Sequence, residues 1–312
     1  MDAKVVVIGL GGVGGYFGFK LAKRYQAEKS VDITFVAREA TYERVKEQGL
    51  RLLSPEHEDN TVRPDHLLSN VKELSHIDLV LLCVKEYDLE KICHQLQGKI
   101  TPQSVILPLM NGVDIYERVR SVIDAGAVLP ACVYVASHIK EKGVVEHKGN
   151  PGRIIFGDDP ICTHNSPERI MSLFKSAGIS CEYRPDPFPA IWSKFLFIAS
   201  FGLVTARYNQ PIGKVREDEQ LGRRALAIMR EILAIAKARG VVLPDDVIQQ
   251  TMEKASIFPY HTPTSLQLDI HSGKKDNELE LFAGAVLQLG RDFGIPTTET
   301  AKIYAEIHKK SS

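Results

Sequence analysis

The stretch KVVVIGLGGVGGYFG, residues 4–18, decides the fold because a short apolar run leads directly into a glycine-rich turn. Residues 5–8 are β-branched and too few for a buried helix, so they predict an interior parallel strand. Gly9, Gly11 and Gly14 follow with the spacing G-x-G-x-x-G, and residues 16–24 have helical character. The stretch therefore predicts a strand, a tight turn and a helix in direct succession.

Each glycine of this turn has a mechanical reason. The first permits the tight turn, the second lets the backbone approach a pyrophosphate, and the third lets helix and strand pack closely. The free amides at the start of the helix then face the phosphates. We expect a dinucleotide site here, and the alternative is a glycine-rich turn in an α/β domain that binds no nucleotide.

Length and composition narrow the class of protein. A chain of 312 residues is long for one core, which favours two domains. The 39 basic and 39 acidic residues cancel, so no net charge favours nucleic acid or an anionic membrane. We find no apolar run near the ~20 residues that span a bilayer, and the first strand leaves no room for a signal peptide. The five cysteines lack the spacing of a zinc or disulfide framework, so we expect a cytoplasmic protein without metal.

The end of the second predicted strand bears on the choice of cofactor. Residues 32–36 form this strand, and Arg38 follows it with Glu39 just beyond. Enzymes that use NAD place an acidic residue here for the ribose 2′-hydroxyl, whereas an arginine accommodates a 2′-phosphate. The planar fork of donors of arginine suits phosphate, which favours NADP. The alternative is that Arg38 is a solvated helix-start residue and Glu39 contacts the ribose.

Polar side chains also follow two later strands. Residues 77–84 are apolar after Asp78 and end at Lys85, and residues 105–109 are followed by Asn111. Ligands of open α/β sheets lie outside the carboxyl ends of the strands, so Lys85 and Asn111 are candidates for nicotinamide ribose or substrate contacts. Capping or surface roles are the alternatives. Further strands at 128–139, 144–147, 153–157 and 179–183 predict a doubly wound sheet with antiparallel additions over residues 1–185.

Three prolines within residues 185–189 mark a boundary, and residues 186–312 predict an all-helical second domain. Lys194 is the only charge between Asp186 and Arg207, on a helix that is apolar all round. Burial would lower the pKa of this lysine toward a range useful for proton donation. The alternative is a lysine that extends its charge to the surface. Later in the domain, Thr264 and Ser265 are interpreted first as caps of a segment that begins near Leu266, and Glu278 as a first-turn carboxylate.

Taken together, these residues resemble the ketopantoate reductases (2-dehydropantoate 2-reductases), NADP-dependent enzymes with an N-terminal Rossmann domain and a helical C-terminal domain. The resemblance covers essentially the whole chain. The motifs that carry it are GLGGVG at 9–14, Arg38, Val84-Lys85, Leu109-Met110-Asn111-Gly112, Ala136, Trp192-x-Lys194, Asn209-x-Pro211-x-Gly213, and Thr264-Ser265 with Asp269.

The resemblance implies roles for individual residues. It makes Lys194 the general acid, and it assigns substrate contacts to Lys194, Asn111 and Ser265. A glutamate between cofactor and substrate would be Glu278, but a one-residue insertion at 274–277 makes Asn277 a competing candidate. The implied cofactor contacts are Gly9, Leu10, Gly11, Gly12, Val13, Gly14, Arg38, Lys85, Asn111, Ala136 and Glu278.

The chain departs from the family at three positions. Where members have asparagines that hold the substrate, this sequence has Ile198, Gly202 and Ile212. The polar hold on the substrate is therefore reduced, while the cofactor motifs are intact. A roomier, apolar wall is expected along the helix of Lys194 at positions 198 and 202.

The resulting hypothesis is NADPH-dependent reduction of ketopantoate to pantoate. Hydride goes to the carbonyl carbon of the 2-oxo acid, and Lys194 donates a proton to the forming alkoxide. The site would lie in a cleft between the domains, with a hinge near residues 184–189. Two alternatives stay open: an oxidoreductase of the same fold acting on a less polar oxo acid or an imine, and a non-catalytic NADP-binding sensor. The partner is a small-molecule substrate, and a homodimer is one alternative for the assembly.

Overall fold

The computed structural model describes residues 3–28, 30–162 and 167–311. The chain divides into two compact units, Met1–Pro187 and Phe188–Ser312. The first unit is α/β and the second is helical in its described residues, which confirms the predicted fold class. The boundary between the units follows residue 187, whereas the sequence-based boundary follows residue 185.

The N-terminal unit alternates strands and helices in its first half and is strand-rich in its second. Its helices are α1 (Gly12–Tyr25), α2 (Glu39–Gln48), α3 (Glu86–Leu96), α4 (Ile115–Arg120) and α5 (Pro167–Ser176). Its strands are β1 (Ala3–Ile8), β2 (Val31–Val36), β3 (Leu50–Ser54), β4 (His57–Val62), β5 (His66–Leu68), β6 (Leu79–Leu82), β7 (Val105–Pro108), β8 (Ala127–Val128), β9 (Ala131–Tyr134), β10 (Ser137–Glu141), β11 (Val144–His147), β12 (Arg153–Phe156) and β13 (Ser180–Tyr183).

The main sheet has six strands in the order β5-β2-β1-β6-β7-β8, and every pairing is parallel. Its central strands are buried on both faces, as their continuous apolar runs predict. The chain winds outward from β1 in one direction through β2 and in the other through β6. The carboxyl ends of β1 and β6, where Ile8 pairs with Leu82, are therefore the topological switch point at which such sheets bind ligands.

Two smaller sheets complete the unit. One has the order β10-β11-β3-β4 and the other β13-β12-β9. The single strand predicted over residues 128–139 is wrong, because this segment is divided among β8, β9 and β10, which belong to three different sheets. Pro130 lies at the first break, and proline cannot donate a backbone hydrogen bond to a neighbouring strand.

The C-terminal unit is built around one long helix, α6 (Phe188–Tyr208), whose residues are mostly buried. The helices α7 (Ile212–Glu217), α8 (Glu219–Ala238), α9 (Val247–Ile257), α10 (Ser265–His271) and α12 (Thr298–Ser311) all pack against it. A π-helical turn at Glu280–Gly284 also contacts α6 and leads directly into α11 (Ala285–Asp292).

Helix α6 is the one helix, in the part of the chain that the structure describes, that is long and apolar enough to cross a membrane. The statement that no apolar run approaches that length is therefore wrong for this segment. Within the protein, 61% of its most apolar window is buried, which is what the central helix of a packed unit requires.

Candidate active site

The glycine turn has the geometry that close approach to a phosphate requires. Gly9 has φ +91°, and its amide donates to the carbonyl of Val36 at 3.0 Å. A Cβ at Gly14 would lie 1.9 Å from the carbonyl oxygen of Gly9, so only glycine lets α1 pack against the turn. A Cβ at Gly11 would meet nothing within 4 Å, so the surface beside that residue is open. The residues therefore fit a pyrophosphate at this turn.

Helix α1 begins at Gly12 and not near Tyr16, because the glycines themselves form its first turn. Gly11 is the N-cap residue, and no side chain caps the first amides. The first amides of a helix have no partner within the helix and carry the positive end of its dipole. The free amides that could face a phosphate are therefore those at the start of a helix beginning at Gly12, a few residues before the start predicted from the sequence.

A cavity of about 380 Å³ lies beside this turn at the carboxyl ends of β1, β2 and β6. It brings together part of the predicted cofactor set, since Gly9, Leu10, Gly11, Arg38 and Lys85 all line it. Gly12, Val13, Gly14, Asn111 and Ala136 are outside its lining. Asn111 is half-buried after β7, and Ala136 is exposed between β9 and β10 with its carbonyl bonded to the amide of Lys148 at 2.9 Å.

Arg38 is the N-cap residue of α2, and 54% of its side chain is exposed. Its guanidinium binds the carboxylate of Asp88 on α3 through both terminal nitrogens, at 3.0 and 2.6 Å. The hydrogen bonds to Asp88 raise the pKa of Arg38 above its ordinary value. Arg38 is thus an oriented cation at the mouth of the cavity, while Glu39 beside it has φ +50°.

The cavity also contains charges that the sequence analysis missed. Lys91 of α3 and Lys142 of the β10–β11 turn line it together with Asp88. A helix beginning at residue 86 places positions 88 and 91 one turn apart, so these two could have been found from the helical period. Lys142 could not, because its place depends on how the four-stranded sheet pairs with the rest of the unit.

Cys83 also lines this cavity, but its thiol is not activated as a nucleophile. Burial raises the pKa of its thiol well above the ordinary value, and burial likewise raises the pKa of Cys93 to about 11. Both thiols stay protonated near neutral pH, so neither is an activated nucleophile. Among the described residues no group of three or more histidine, cysteine or acidic side chains could hold a metal ion.

In the C-terminal unit, Lys194 lies in the first half of α6 and is half-buried. The partial burial of Lys194 is intermediate between the two alternatives given by the sequence, a buried ammonium and a fully exposed cation. Over residues 190–206 of this helix, only Ser193, Lys194, Phe197 and Ile198 are not buried. Lys194 is therefore accessible on one short stripe of an otherwise covered helix.

Thr264 and Ser265 sit at the start of α10, and the capping interpretation is confirmed for Thr264. Its hydroxyl accepts from the amide of Gln267 at 3.2 Å, and its own amide donates to the side chain of Gln267 at 3.4 Å. The Thr264 hydroxyl also lies 2.6 Å from that of Thr205. Thr205 is about 16 Å along the α6 axis from Lys194, so the cap adjoins a later part of the helix. Ser265 itself is exposed.

Asn277 and Glu278, the two candidates for the glutamate that the resemblance implies, differ in their surroundings. The side chain of Asn277 donates to the carbonyl of Lys274 at 3.0 Å and accepts from the amide of Leu279 at 3.0 Å. Asn277 is therefore occupied in capping the following helical turn. Glu278 is 7% exposed, and its backbone carbonyl accepts from the amide of Phe282 at 3.1 Å within the following helical turn.

The roomier wall expected at position 202 is wrong. A Cβ at Gly202 would lie 3.5 Å from the ring of Phe282, which belongs to the π-helical turn. The ring covers the space that a side chain at 202 would otherwise leave open. Ile212 is 3% exposed and belongs to the core, so Ile198 is the only one of the three departures that is not buried.

The fold and the cavity are those of a Rossmann-type dinucleotide-binding domain, and the family matches make the protein a pyridine-nucleotide-dependent oxidoreductase. The family description "Ketopantoate reductase PanE/ApbA" matches residues 5–160, and its C-terminal counterpart matches residues 188–311. Because these matches cover most of the chain, the chain belongs to the ketopantoate reductase family, and the resemblance found in the sequence is confirmed.

Individual relatives show how far the similarity extends. The "Uncharacterized oxidoreductase YkpB" of Bacillus subtilis is 26% identical over 97% of both chains. The crystal structure of a PanE/ApbA family ketopantoate reductase from Ralstonia eutropha has a TM-score of 0.88, with 27% identity over 99% of this chain and 98% of that one. D-mandelate dehydrogenase, solved with NADH and anilino(oxo)acetate, has a TM-score of 0.85 at 16% identity over 99% and 98% of the two chains, which is similarity of fold alone.

Proposed function

We propose that this protein is an NADPH-dependent reductase of a 2-oxo acid, and that ketopantoate, reduced to pantoate, is a substrate. The observation that carries the proposal is the open glycine turn beside a cavity lined by cations, in a chain of this family. Relatives described as 2-dehydropantoate 2-reductases support the choice of substrate, at identities such as 26% over 94% of this chain.

The proposed cofactor is NADP. Arg38, Lys91 and Lys142 line the cavity and are the cations that would hold a 2′-phosphate against the opposing carboxylate of Asp88. The amides at the start of α1 would bind the pyrophosphate, with Lys85, Asn111, Ala136 and Glu278 as further contacts. The reduced nicotinamide, when bound, supplies the hydride.

Lys194 is the proposed proton donor. A positioned ammonium stabilises the negative charge that develops on the carbonyl oxygen and then gives its proton to that oxygen. Asn111 and Ser265 would orient the substrate. The proposal requires a substrate that Lys194 and the bound cofactor reach at the same time.

A second candidate is a reductase for a less polar oxo acid or an imine. One observation favours it: Ile198 stands one helical turn from Lys194 on the same half-buried stripe, where an amide would hold a polar substrate. A small-molecule substrate and the same cofactor are common to both candidates.

We propose a cytoplasmic location, because none of the five cysteines forms a disulfide bond, as expected in a reducing compartment. Recovery of the native protein with the membrane or secreted fraction would contradict this location.

We propose that the protein is a homodimer. Light scattering coupled to gel filtration measures the molar mass in solution, and the mass of a monomer would contradict the homodimer.

The proposal is tested by following oxidation of NADPH with a panel of 2-oxo acids that includes ketopantoate. Turnover of at least one 2-oxo acid is expected. Tight NADPH binding without turnover of any oxo acid or imine would favour the non-catalytic sensor. Absence of binding to either dinucleotide would overturn the cofactor site itself.

A further inference from the structure

Four residues of α6 form one accessible stripe. Ser193, Lys194, Phe197 and Ile198 are half-buried, whereas every other residue from 190 to 206 is buried. Residues three or four apart share a face of a helix, so the four lie side by side over one turn. The stripe offers one ammonium, one hydroxyl and two large apolar side chains.

A second ring extends the apolar part of this stripe. Phe258, which follows α9, stacks on Phe197 with ring centroids 5.4 Å apart and planes inclined by 12°. Phe258 remains 41% exposed, and Ile257 before it is 81% exposed. We call the pair of rings, Phe197 and Phe258, the aromatic ledge.

The backbone beyond the ledge is held in place. The carbonyl of Tyr260 accepts from the amide of Gly213 at 3.0 Å, and that of Thr262 accepts from the amide of Ile212 at 3.0 Å. These bonds tie the segment after Phe258 to the start of α7. The chain that carries Phe258 is therefore anchored within two residues of the ring.

We propose that the aromatic ledge receives the side chain of the substrate, and that the preferred substrate is a 2-oxo acid with an aryl side chain. This inference rests on the proposed reduction of a 2-oxo acid at Lys194. An aromatic ring binds another ring by offset stacking or edge to face, and Phe258, one face of which stacks on Phe197, keeps 41% of its surface exposed for such a contact. Phe197 lies three residues from Lys194 on the same face, so a ligand on the ledge keeps its oxo-acid end beside the ammonium.

The same surface disfavours ketopantoate. On the ledge its hydroxyl group would lie against Phe197, Ile198 or Phe258, none of which has a side-chain donor or acceptor, whereas the one hydroxyl of the stripe, on Ser193, lies one turn before Phe197 and next to Lys194. A polar group placed there without a partner loses its hydrogen bonds to water. The next turn of α6 offers no space for this hydroxyl group, because the ring of Phe282 covers Gly202.

The test compares kcat/KM for phenylglyoxylate, 2-oxo-3-methylbutanoate and ketopantoate at saturating NADPH. The inference predicts a value for phenylglyoxylate at least about tenfold above that for ketopantoate, the scale of discrimination that apolar contacts give. Phe258→Ala should lower the phenylglyoxylate value about tenfold and the ketopantoate value by less than about twofold, while Phe258→Tyr should retain both.

The control is Phe293→Ala, because Phe293 is also a phenylalanine that directly follows a helix, here α11, and is 40% exposed. It should leave all three kcat/KM values unchanged. A preference for ketopantoate would overturn the inference, and so would a Phe258→Ala variant that changes the three substrates equally or not at all.

A binding measurement separates this inference from the proposed reaction. Calorimetry with NADP⁺ present measures the affinities for phenylglyoxylate and ketopantoate. Tighter binding of phenylglyoxylate that is lost in Phe258→Ala, without turnover of any oxo acid, would support the ledge and overturn the reductase. Turnover with tighter binding of ketopantoate would support the reductase and overturn the ledge. Absence of both binding and turnover would overturn both.

Discussion

Arg38 and Asp88 form a bidentate ion pair in which Nη1 lies 3.0 Å from Oδ1 and Nη2 lies 2.6 Å from Oδ2. The pair joins the N-cap residue of α2 to the first turn of α3, and both residues line the cavity beside the glycine turn. The carboxylate orients the arginine and accepts from both of its terminal nitrogens. If the proposed cofactor NADP places its 2′-phosphate here, the preference between NADPH and NADH should depend on both side chains.

The first prediction concerns Arg38. Arg38→Ala should reduce the preference for NADPH over NADH by about 1.5–3 kcal/mol, the usual value of a hydrogen bond to a charged group. Dissociation constants for both cofactors, measured by fluorescence titration, check this. Arg44→Ala is the control, because Arg44 is an exposed arginine of the same helix outside the cavity lining. Equal affinities of the unmodified protein for NADPH and NADH would contradict the assignment.

The second prediction concerns Asp88. Asp88→Asn removes the negative charge that opposes a 2′-phosphate, so NADPH should bind more tightly, by up to about fivefold, the value of an exposed ion pair. NADH affinity should hardly change, since it lacks the phosphate. Glu90→Gln, on an exposed residue of the same helix, is the control. If Asp88→Asn instead weakens NADPH as much as Arg38→Ala does, Asp88 serves to position the arginine.

The third prediction concerns Lys194. Lys194→Ala should leave the affinity for NADPH largely intact and lower kcat by about 10²-fold or more, the scale of a general acid. Lys194→Arg should not restore the rate, because arginine does not release a proton near neutral pH. Lys214→Ala removes a lysine of α7 that pairs with Asp218 and should leave kcat unchanged. Normal turnover of Lys194→Ala would show that this lysine is structural.

The cofactor half of the protein could be read from the sequence because its signals are local. The turn from Gly9 to Gly14 follows its strand directly, and Arg38 and Lys85 each follow a strand of the same sheet. The carboxyl ends of parallel strands meet at one edge, so residues just beyond them converge in space. Gly9, Arg38 and Lys85 line one cavity for this reason, whereas Asn111, which follows the neighbouring strand β7, lies outside the lining.

The features that were missed depend on contacts between distant segments. The stacking of Phe258 on Phe197 joins residues 61 positions apart, and the ring of Phe282 covers Gly202 from a π-helical turn. A glycine in a helical pattern does not show which side chain fills the space beside it. The positions of Phe258 and Phe282 against α6 follow only from the packed structure of the C-terminal unit.

The fourth prediction uses a buried ion pair of the N-terminal unit. Asp159 is 3% exposed and accepts hydrogen bonds from Arg120, from Tyr116 at 2.8 Å and from the amide of Val128 at 2.7 Å. Asp159→Asn would leave the guanidinium of Arg120 without its counter-charge, so we expect a loss of about 3–5 kcal/mol in the free energy of unfolding. Urea unfolding followed by circular dichroism measures it, with Asp124→Asn, an exposed aspartate, as the control.

The same carboxylate gives a dependence on pH. Burial alone would raise the pKa of Asp159, but hydrogen bonds from the amides of Ile161 and Val128 and from Arg120 outweigh it and lower the pKa. The stabilisation is thus present above the unfolded pKa of about 4 and is lost as pH falls through the lower folded value. The difference between the native chain and Asp159→Asn should therefore be constant from neutral pH to about 5 and shrink in stronger acid. A difference that grows in acid would contradict this.

The last prediction concerns Ile198 and Gly202, two of the positions at which the resemblance to the family implies asparagine. Ile198 is half-buried, so Ile198→Asn places an amide where a substrate hydroxyl can reach it and should lower KM for ketopantoate. Gly202→Asn should not lower KM, because its amide would lie against the ring of Phe282 and cost about 1–3 kcal/mol as a buried polar group without a partner. Gly202→Ala is the control, since its Cβ meets the ring at an ordinary 3.5 Å and alanine favours the helix. Steady-state kinetics and urea unfolding of the three variants separate these effects. If the unmodified protein already has a KM for ketopantoate on the order of 1 μM, at the low end of the usual range for enzymes, other residues hold the substrate and Ile198 is not what limits its binding.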